Sequence, residues 1–306
     1  MSGWQLFFQQ LANGLTLGAI YALIALGYTM VYGVIQLINF AHGEVFMVGA
    51  HLALLVLLAL GVTGSLAGWP MAGVLFLCLL GAVVGCGLLG YGIEFLAYRP
   101  LRRSPRLSAL ITAIGISFFL QNAVMLLYGA TDRRFPPVLP SLRYQVLGVT
   151  LTGLQMVIWI TSALIMVALQ LLVMSTKLGK AMRAIAQDPK ACLLLGIPVN
   201  RVITVTFVLG STLAAVGGVL FALYYNTINF HDGYLTGLKA FTAAVLGGIG
   251  NIPGAMVGGL LLGILEGLGA GYLSAQWKNV FALLVLIGIL LFKPTGLLGE
   301  RVADRA

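Results

Sequence analysis

The chain has very little charge for its length. Of its 306 residues, 17 are Lys or Arg and 8 are Asp or Glu, so that 8% are charged and 60% are apolar. Soluble proteins carry about 25% charged residues, because a surface in water needs them. This composition therefore excludes an ordinary soluble domain and favours a protein with several membrane-spanning helices.

Catalytic and metal-binding motifs are also missing. The sequence contains no G-x-S-x-G, H-E-x-x-H or C-x-x-C pattern and no G-x-x-x-x-G-K-[ST] phosphate loop. Gly179 and Lys180 are followed by Ala181, without the upstream glycine that a phosphate loop needs. The three cysteines lack the spacing of a metal site or of a disulfide framework. We therefore expect no catalytic residue, no bound metal and no cofactor in this chain.

The apolar residues that dominate the sequence form long runs without charge. These runs cover residues 45–93, 107–131, 144–176, 202–230 and 240–265. Because a membrane-spanning helix needs roughly 20 apolar residues, we predict an all-α polytopic membrane bundle with eight full spans. The predicted spans are residues 6–31, 44–60, 70–97, 107–128, 151–174, 202–225, 254–272 and 277–292. Residues 1–306 are expected to form a single transmembrane domain.

Positive charge is concentrated in two loops. Residues 98–106 carry four Arg, and residues 175–201 carry five Lys or Arg and one Asp, a net charge of 5 − 1 = +4. Basic loops of membrane proteins face the cytoplasm, so both loops are predicted to be cytoplasmic and the N-terminus to lie outside. Lys293, Arg301 and Arg305 favour a cytoplasmic C-terminus. The net charge of +9 thus indicates topology rather than nucleic-acid binding.

Small residues recur at intervals of four and predict close helix packing. The longest series consists of Gly259, Gly263, Gly267 and Gly271, and a second one consists of Gly14, Gly18 and Ala22. By contrast, residues 236–249 are too few to span comfortably, and the sequence GGIGNIPG at 247–254 ends the segment. Glycines followed by proline cannot continue a regular helix, so this segment is predicted to be a short broken or re-entrant element.

Four ionisable side chains lie within or beside the predicted spans: Glu44, His51, Glu94 and Glu266. Acids in membrane segments are costly, which makes each a candidate functional residue. Glu94 lies near the first basic loop and is expected to pair with Arg99 or Arg102. Glu44 is either an acid favoured at a helix N-terminus or a substrate contact. Glu266 is the best candidate for an intramembrane role, although a hydrogen bond to a neighbouring helix would also explain it, and His51 is interpreted as a packing residue.

The second basic loop has the pattern of two short helices. Apolar or small residues recur on one face at three- and four-residue spacing from Leu178 to Ala186, and Lys180, Arg183 and Gln187 lie on the other side. Asp188 is a good N-cap and Pro189 suits a first helical position, so a second short helix is predicted to begin there and to stop at Gly196. Such a pair can dock in a cleft of a cytoplasmic partner. The alternative is a helix that rests on anionic lipid, but this loop lacks the large aromatic side chains that anchor such helices.

Four segments together resemble a known family. They are residues 13–50 with NFAHGE, 97–122, 179–197 with AIAQDPKACLLLGI, and 239–266 with AVLGGIGNIPGA. The chain resembles, over almost its whole length, the permease subunits of ABC importers for branched-chain and other neutral amino acids. The same clade includes urea and amide permeases. The motifs INFAHGE and GYTMVYG favour the amino-acid branch, and proline, alanine or other neutral amino acids remain open as substrates.

The resemblance implies a bacterial inner-membrane permease domain that does not hydrolyse ATP itself. The partners that it implies are a second homologous permease, two cytoplasmic ATPases that hold ATP and Mg²⁺, an extracytoplasmic substrate-binding protein, and membrane lipid. It assigns residues 179–197 as coupling helices that sit in a groove of an ATPase. The residues assigned to coupling are Gly179, Lys180, Arg183, Ala184, Gln187, Asp188, Pro189, Gly196 and Ile197.

Residues of the transport pathway are expected at the interface with the partner permease. The candidates are Tyr21, Asn39, His42, Glu44 and Glu266. The mechanism expected is alternating access driven by the ATPases. Two other classes remain as alternatives: an ion-coupled secondary carrier, which usually concentrates acids in the middle of the membrane, and a membrane-embedded enzyme, which needs a catalytic pair that the sequence does not contain.

Overall fold

The computed structural model describes residues 3–66, 68–102, 104–140, 142–146 and 148–299. The helices in the first half are α1 (Gly3–Ile35), α2 (His42–Ala59), α3 (Trp69–Ile93), α4 (Arg99–Leu101), α5 (Arg106–Tyr128) and α6 (Gly153–Ser175). Those in the second half are α7 (Lys177–Gln187), α8 (Pro189–Leu194), α9 (Val199–Tyr225), α10 (Asp232–Gly247), α11 (Ile252–Tyr272) and α12 (Lys278–Phe292). A π-helical turn (Glu94–Tyr98) joins α3 to α4, and a 3₁₀ turn (Ala275–Trp277) precedes α12.

Eight helical segments of these described residues are long and apolar enough to cross a membrane. They are α1, α2, α3 extended through α4, α5, α6, α9, α11, and α12 with its 3₁₀ turn. Each begins and ends within four residues of a span predicted from the charge-free runs. The predicted helical membrane bundle with eight spans is therefore confirmed.

The two basic loops lie on the same side of the bundle, which we call the basic face. Arg102, in the first loop, donates a hydrogen bond of 2.5 Å to Oδ1 of Asn200, at the end of the second. The C-terminal residues up to 299 also lie on this face, because Asn251 donates to the carbonyl of Leu298 at 2.7 Å and Gly250 lines a cavity with Arg183. Arg301 and Arg305 lie outside the described residues.

Short β-ladders tie the loops of the opposite face together. Strand β1 (Arg133–Arg134) pairs antiparallel with β4 (Thr227–Ile228), and β2 (Arg143–Val146) pairs with β3 (Val149–Thr152). The N-terminal part of α1 is on the same side, since Gln9 Nε2 donates to the carbonyl of Thr150 at 3.1 Å. The described start of α1 therefore lies on the face opposite the basic loops, which agrees with the predicted topology.

Helix α1 forms the centre of the bundle and packs most extensively against α11. The two predicted glycine series meet along this crossing. A Cβ added at Gly14 would lie 2.7 Å from the carbonyl oxygen of Gly263, and one added at Gly18 would lie 2.8 Å from Cα of Leu260. Glycine is required at these positions because the two backbones approach too closely for a side chain. The predicted packing seam is confirmed.

The predicted short element is α10, which has 16 residues and is about 24 Å long at 1.5 Å per residue. It is a continuous helix that runs from the connection after β4 to the basic face. The backbone break predicted at GGIGNIPG follows its last residue, where Gly248 has φ +110°. The C-terminal segment covers this break, because the amides of Leu297 and Leu298 donate to the carbonyls of Leu246 and Gly247 at 2.8 and 2.9 Å.

Candidate functional site

The exposed helix pair α7–α8 is held to the bundle by its apolar face and is capped at both starts. Gly179, Met182 and Ile185 are buried. Thr176 Oγ1 accepts a hydrogen bond of 3.1 Å from the amide of Gly179 and caps α7. Asp188 Oδ1 accepts from the amides at positions 190 and 191, at 2.8 and 3.1 Å, and caps α8. The N-cap role predicted for Asp188 is therefore confirmed.

The remaining coupling candidates differ in exposure. Lys180, Arg183, Gln187, Asp188, Pro189 and Gly196 are exposed, whereas Ala184 and Ile197 are half-buried. Gly196 has φ +77° and follows the end of α8, as a helix-stopping glycine does. The Arg183 guanidinium donates a hydrogen bond of 3.3 Å to the carbonyl of Met174.

A leucine patch that the sequence reading did not single out lies at the end of α8. Leu193, Leu194 and Leu195 are 61%, 90% and 79% exposed. They are consecutive, so they surround the last turn of the short helix instead of following one face. Large apolar side chains grouped in this way on a polar, basic face mark a surface that contacts another molecule.

Two pathway candidates meet inside the bundle around Glu266, on α11. The Tyr21 hydroxyl donates to Oε2 of Glu266 at 2.9 Å, and the Lys239 ammonium lies 2.8 Å from Oε1. Tyr21 and Glu266 are buried. Both carboxylate oxygens thus have a partner, one of them a cation, and the triad links α1, α10 and α11. Sequence reasoning missed Lys239, although this residue directly precedes the charge-free run 240–265 and Glu266 directly follows it.

The Glu44 carboxylate lies where α2, α5 and α10 meet and is 1% exposed. Ser117 of α5 donates its hydroxyl to Oε1 at 3.2 Å. Oε2 is buried without a hydrogen-bond partner among the described residues. It faces Gly233 at the start of α10, where an added Cβ would collide with it. Glu44 does not cap its own helix, because the N-cap is Ala41 and no side chain bonds there.

The other two pathway candidates are structural neighbours of this region. Asn39 Oδ1 accepts from the amide of Ala41 at 3.1 Å and from the Tyr98 hydroxyl at 3.2 Å, which fixes the chain as it enters α2. The His42 ring packs edge-on against Tyr28 with centroids 4.7 Å apart. Both residues are buried. The structure therefore places Asn39, His42 and Glu44 at the start of α2, and Tyr21 with Glu266 in a separate cluster.

Glu94 pairs with Arg102, one of the two partners predicted for it. Its second oxygen accepts a hydrogen bond of 2.7 Å from the Thr204 hydroxyl of α9. Burial lowers the pKa of the Arg102 guanidinium, and the Glu94 carboxylate opposes this shift. The pair joins the end of α3 to the beginning of α9, next to the coupling helices. His51 bonds to the carbonyl of Met47 at 2.9 Å and packs against Tyr128, which agrees with a packing role.

Eight apolar spans and an exposed helix pair on the basic face are the features expected of a membrane permease. The family model described as "Branched-chain amino acid transport system / permease component" matches residues 10–290. The chain belongs to this family.

Individual relatives agree with the family assignment. The chain is 49% identical to the high-affinity branched-chain amino acid transport system permease protein LivH of Escherichia coli K12, over 98% of this chain and 97% of the relative. It is 48% identical to the corresponding protein BraD of Pseudomonas aeruginosa, over 98% of both chains. A probable LivH of Methanocaldococcus jannaschii is 29% identical over 90% of this chain and 88% of its own length. No solved structure matches the chain.

The family resemblance drawn from the sequence motifs is therefore confirmed. The chain is a multi-pass permease component homologous to bacterial inner-membrane LivH, and it is a transport component of an ABC system rather than a catalytic ATPase. The ion-coupled carrier and the membrane enzyme, which the sequence left as alternatives, are not the class to which it belongs.

Proposed function

We propose that this chain lets branched-chain amino acids through the inner membrane as one of two permease subunits of an ABC importer. Its partners are a second, homologous permease, two cytoplasmic ATPases that hold ATP and Mg²⁺, an extracytoplasmic binding protein that delivers the substrate, and the surrounding lipid. The observation that carries the proposal is the exposed helix pair α7–α8 on a chain whose sequence contains no phosphate loop. The substrate is inferred from relatives at 49% and 48% identity over nearly the whole chain.

The leucine patch Leu193–Leu195 is the proposed contact with an ATPase. Removing apolar surface from water contributes roughly 25 cal/mol per Å², so burying three leucines in a groove stabilises a complex. The Asp188 cap and the buried residues of α7 fix the patch relative to the bundle, and a fixed element transmits movement better than a loose one. This favours docking to a protein over an anchor in lipid.

The contacts of α9 suggest how movement of the helix pair reaches the spans. Helix α8 is followed at once by α9, which packs against α1, α2 and α3. Asn200, in the first turn of α9, is bonded to Arg102 next to the start of α5. Closure of the ATPases around ATP would push α7–α8, tilt α9, and carry the α3–α5 connection with it. The pathway would then alternate between outward- and inward-facing states.

A substitution in the leucine patch tests the docking proposal. Leu194→Ser changes a side chain that is 90% exposed, so the fold of this chain should be unaffected. We expect copurification of the ATPases and ATP-dependent uptake to fall about tenfold. Leu142→Ser is the matched control, because Leu142 is 52% exposed on the opposite face. Unchanged copurification with Leu194→Ser would overturn the docking assignment.

The substrate is tested with the assembled transporter in proteoliposomes. With binding protein outside and ATP inside, leucine, isoleucine and valine should accumulate, and urea and proline should not. Faster uptake of urea or proline than of leucine would reject the proposed substrate. Robust uptake by this chain alone, under a proton or sodium gradient and without ATP, would reject the ATP-driven mechanism itself.

A further inference from the structure

Glu44 is a buried carboxylate with one oxygen unused. Oε1 has a single hydrogen bond, from Ser117, and Oε2 has none among the described residues. The two ion pairs within those residues, Arg102–Glu94 and Lys239–Glu266, do not include it. Burying a carboxylate without a cation or sufficient donors is costly. An uncompensated carboxylate at a helix junction inside the membrane is therefore a candidate functional group.

The surroundings of Glu44 are two helix N-termini packed together. The first turns of α2 and α10 are in contact, because a Cβ added at Gly237 would lie 2.8 Å from Cα of Gly43. Neither N-terminus is capped by a side chain. The first turn of each helix holds an acid, Glu44 in α2 and Asp232 in α10, so the junction is acidic and favours a cationic group.

We infer that Glu44 binds the α-ammonium group of the transported amino acid, with the Ser117 hydroxyl beside it. An ammonium group has three donors and a full positive charge, so it supplies what Oε2 lacks. This inference rests on the proposed function, because it takes an amino acid as the substrate.

Helix α5 is the element that can open this site. Most of its residues are exposed or half-buried in this chain, whereas most residues of α2 are buried. It contacts α2 at the level of Glu44 through Ser117, near its own midpoint. A shift of α5 away from α2 would uncover the carboxylate without disturbing the α1–α11 seam. Glu44 would then be closed in one state of the transport cycle and reachable in another.

The test compares Glu44→Gln with Glu44→Asp in the complete transporter, reconstituted in proteoliposomes with saturating leucine-loaded binding protein. Glutamine keeps the size of the side chain and its bond to Ser117, but not the charge. We expect leucine transported per ATP hydrolysed to fall about tenfold in Glu44→Gln and less in Glu44→Asp. The melting temperature should remain close to that of the unmodified complex.

Three results would count against the inference, and they are distinguishable. If Glu44→Gln transports as many leucines per ATP as the unmodified complex, Glu44 does not bind the ammonium group. If both variants lose ATPase activity and melting temperature together, Glu44 has a structural role instead. If the unmodified complex shows no ATP-dependent leucine uptake, the proposed function fails, and the inference fails with it.

Discussion

Glu266 and Glu44 are equally buried, but they differ in their hydrogen-bond and ion-pair partners. Each is 1% exposed. Glu266 has a cation on one oxygen and a tyrosine hydroxyl on the other, and both belong to this chain. Glu44 has one serine hydroxyl on one oxygen and no partner on the other within the described residues. Burial alone therefore does not distinguish the two acids, whereas the completeness of their partners does.

Removing the cation from the Glu266 cluster should have the largest effect. Lys239→Met leaves the Glu266 carboxylate buried and uncompensated, which typically costs about 3–5 kcal/mol. We expect a severe loss of folded protein, measured as yield and melting temperature in detergent. The double variant Lys239→Met with Glu266→Leu should recover most of the stability, because an apolar pair replaces the ion pair. If the single variant were as stable as the unmodified protein, the ion pair between Lys239 and Glu266 would not contribute to the stability of the fold.

Filling the space at Gly233 should have the next largest effect, on the Glu44 side. Gly233→Ala places a methyl group against Oε2 of Glu44 and 2.9 Å from the carbonyl oxygen of Gly43. Overpacking of this kind costs about 1–3 kcal/mol. Adding Glu44→Ala should relieve part of that cost, and a double-mutant cycle of melting temperatures measures how much. Strictly additive changes would show that α10 does not press on the carboxylate.

A smaller loss is expected when the tyrosine of the Glu266 cluster loses its hydroxyl. Tyr21→Phe removes the 2.9 Å bond to Oε2 but leaves Lys239 in place. Hydrogen bonds between membrane helices average about 0.6 kcal/mol, so the melting temperature should fall slightly and transport should continue. A loss of transport without a loss of stability would instead assign Tyr21 to the pathway, as the sequence motifs suggested.

The smallest effect on stability is expected from removing the Glu44 carboxylate altogether. The loss of the one hydrogen bond from Ser117 is offset because a carboxylate without a cation is no longer buried. Glu44→Leu should therefore change the free energy of unfolding by less than about 1 kcal/mol, as measured by denaturation in detergent. Lys239→Met and Glu44→Leu should therefore differ most in their effect on stability. If Glu44→Leu destabilised the protein as much as Lys239→Met, the proposed difference between the two acids would be wrong.

The spans and the helix pair could be predicted from the sequence because their signals are local. Charge-free runs and the Asp188–Pro189 capping pattern depend on residues close together in the chain, and both are confirmed. Glu94 was also within reach, since Arg102 follows it by two helical turns. The single-domain assignment for residues 1–306 stays a prediction.

The partners of the two buried acids could not be predicted, because they come from distant parts of the chain. Ser117 is 73 residues from Glu44, and Tyr21 is 245 residues from Glu266. Lys239 was closer, at 27 residues. Lys239 and Glu266 are the two charged residues that flank the charge-free run 240–265. Their opposite charges at the two ends of one run were the signal that could have predicted the ion pair. The exposed Leu193–Leu195 patch could not be predicted, because three consecutive leucines do not stand out in a sequence that is 60% apolar.

The crossing of α1 and α11 has a consequence for how the protein is made. Gly14 and Gly263 touch in the finished bundle, yet the ribosome adds the second 263 − 14 = 249 residues after the first. At about 5–20 residues per second, that interval is roughly 12–50 s. During this time the glycine seam of α1 has no partner helix. Of the eight spans in the described residues, the central one is therefore the earliest to be synthesised and among the last to be fully packed.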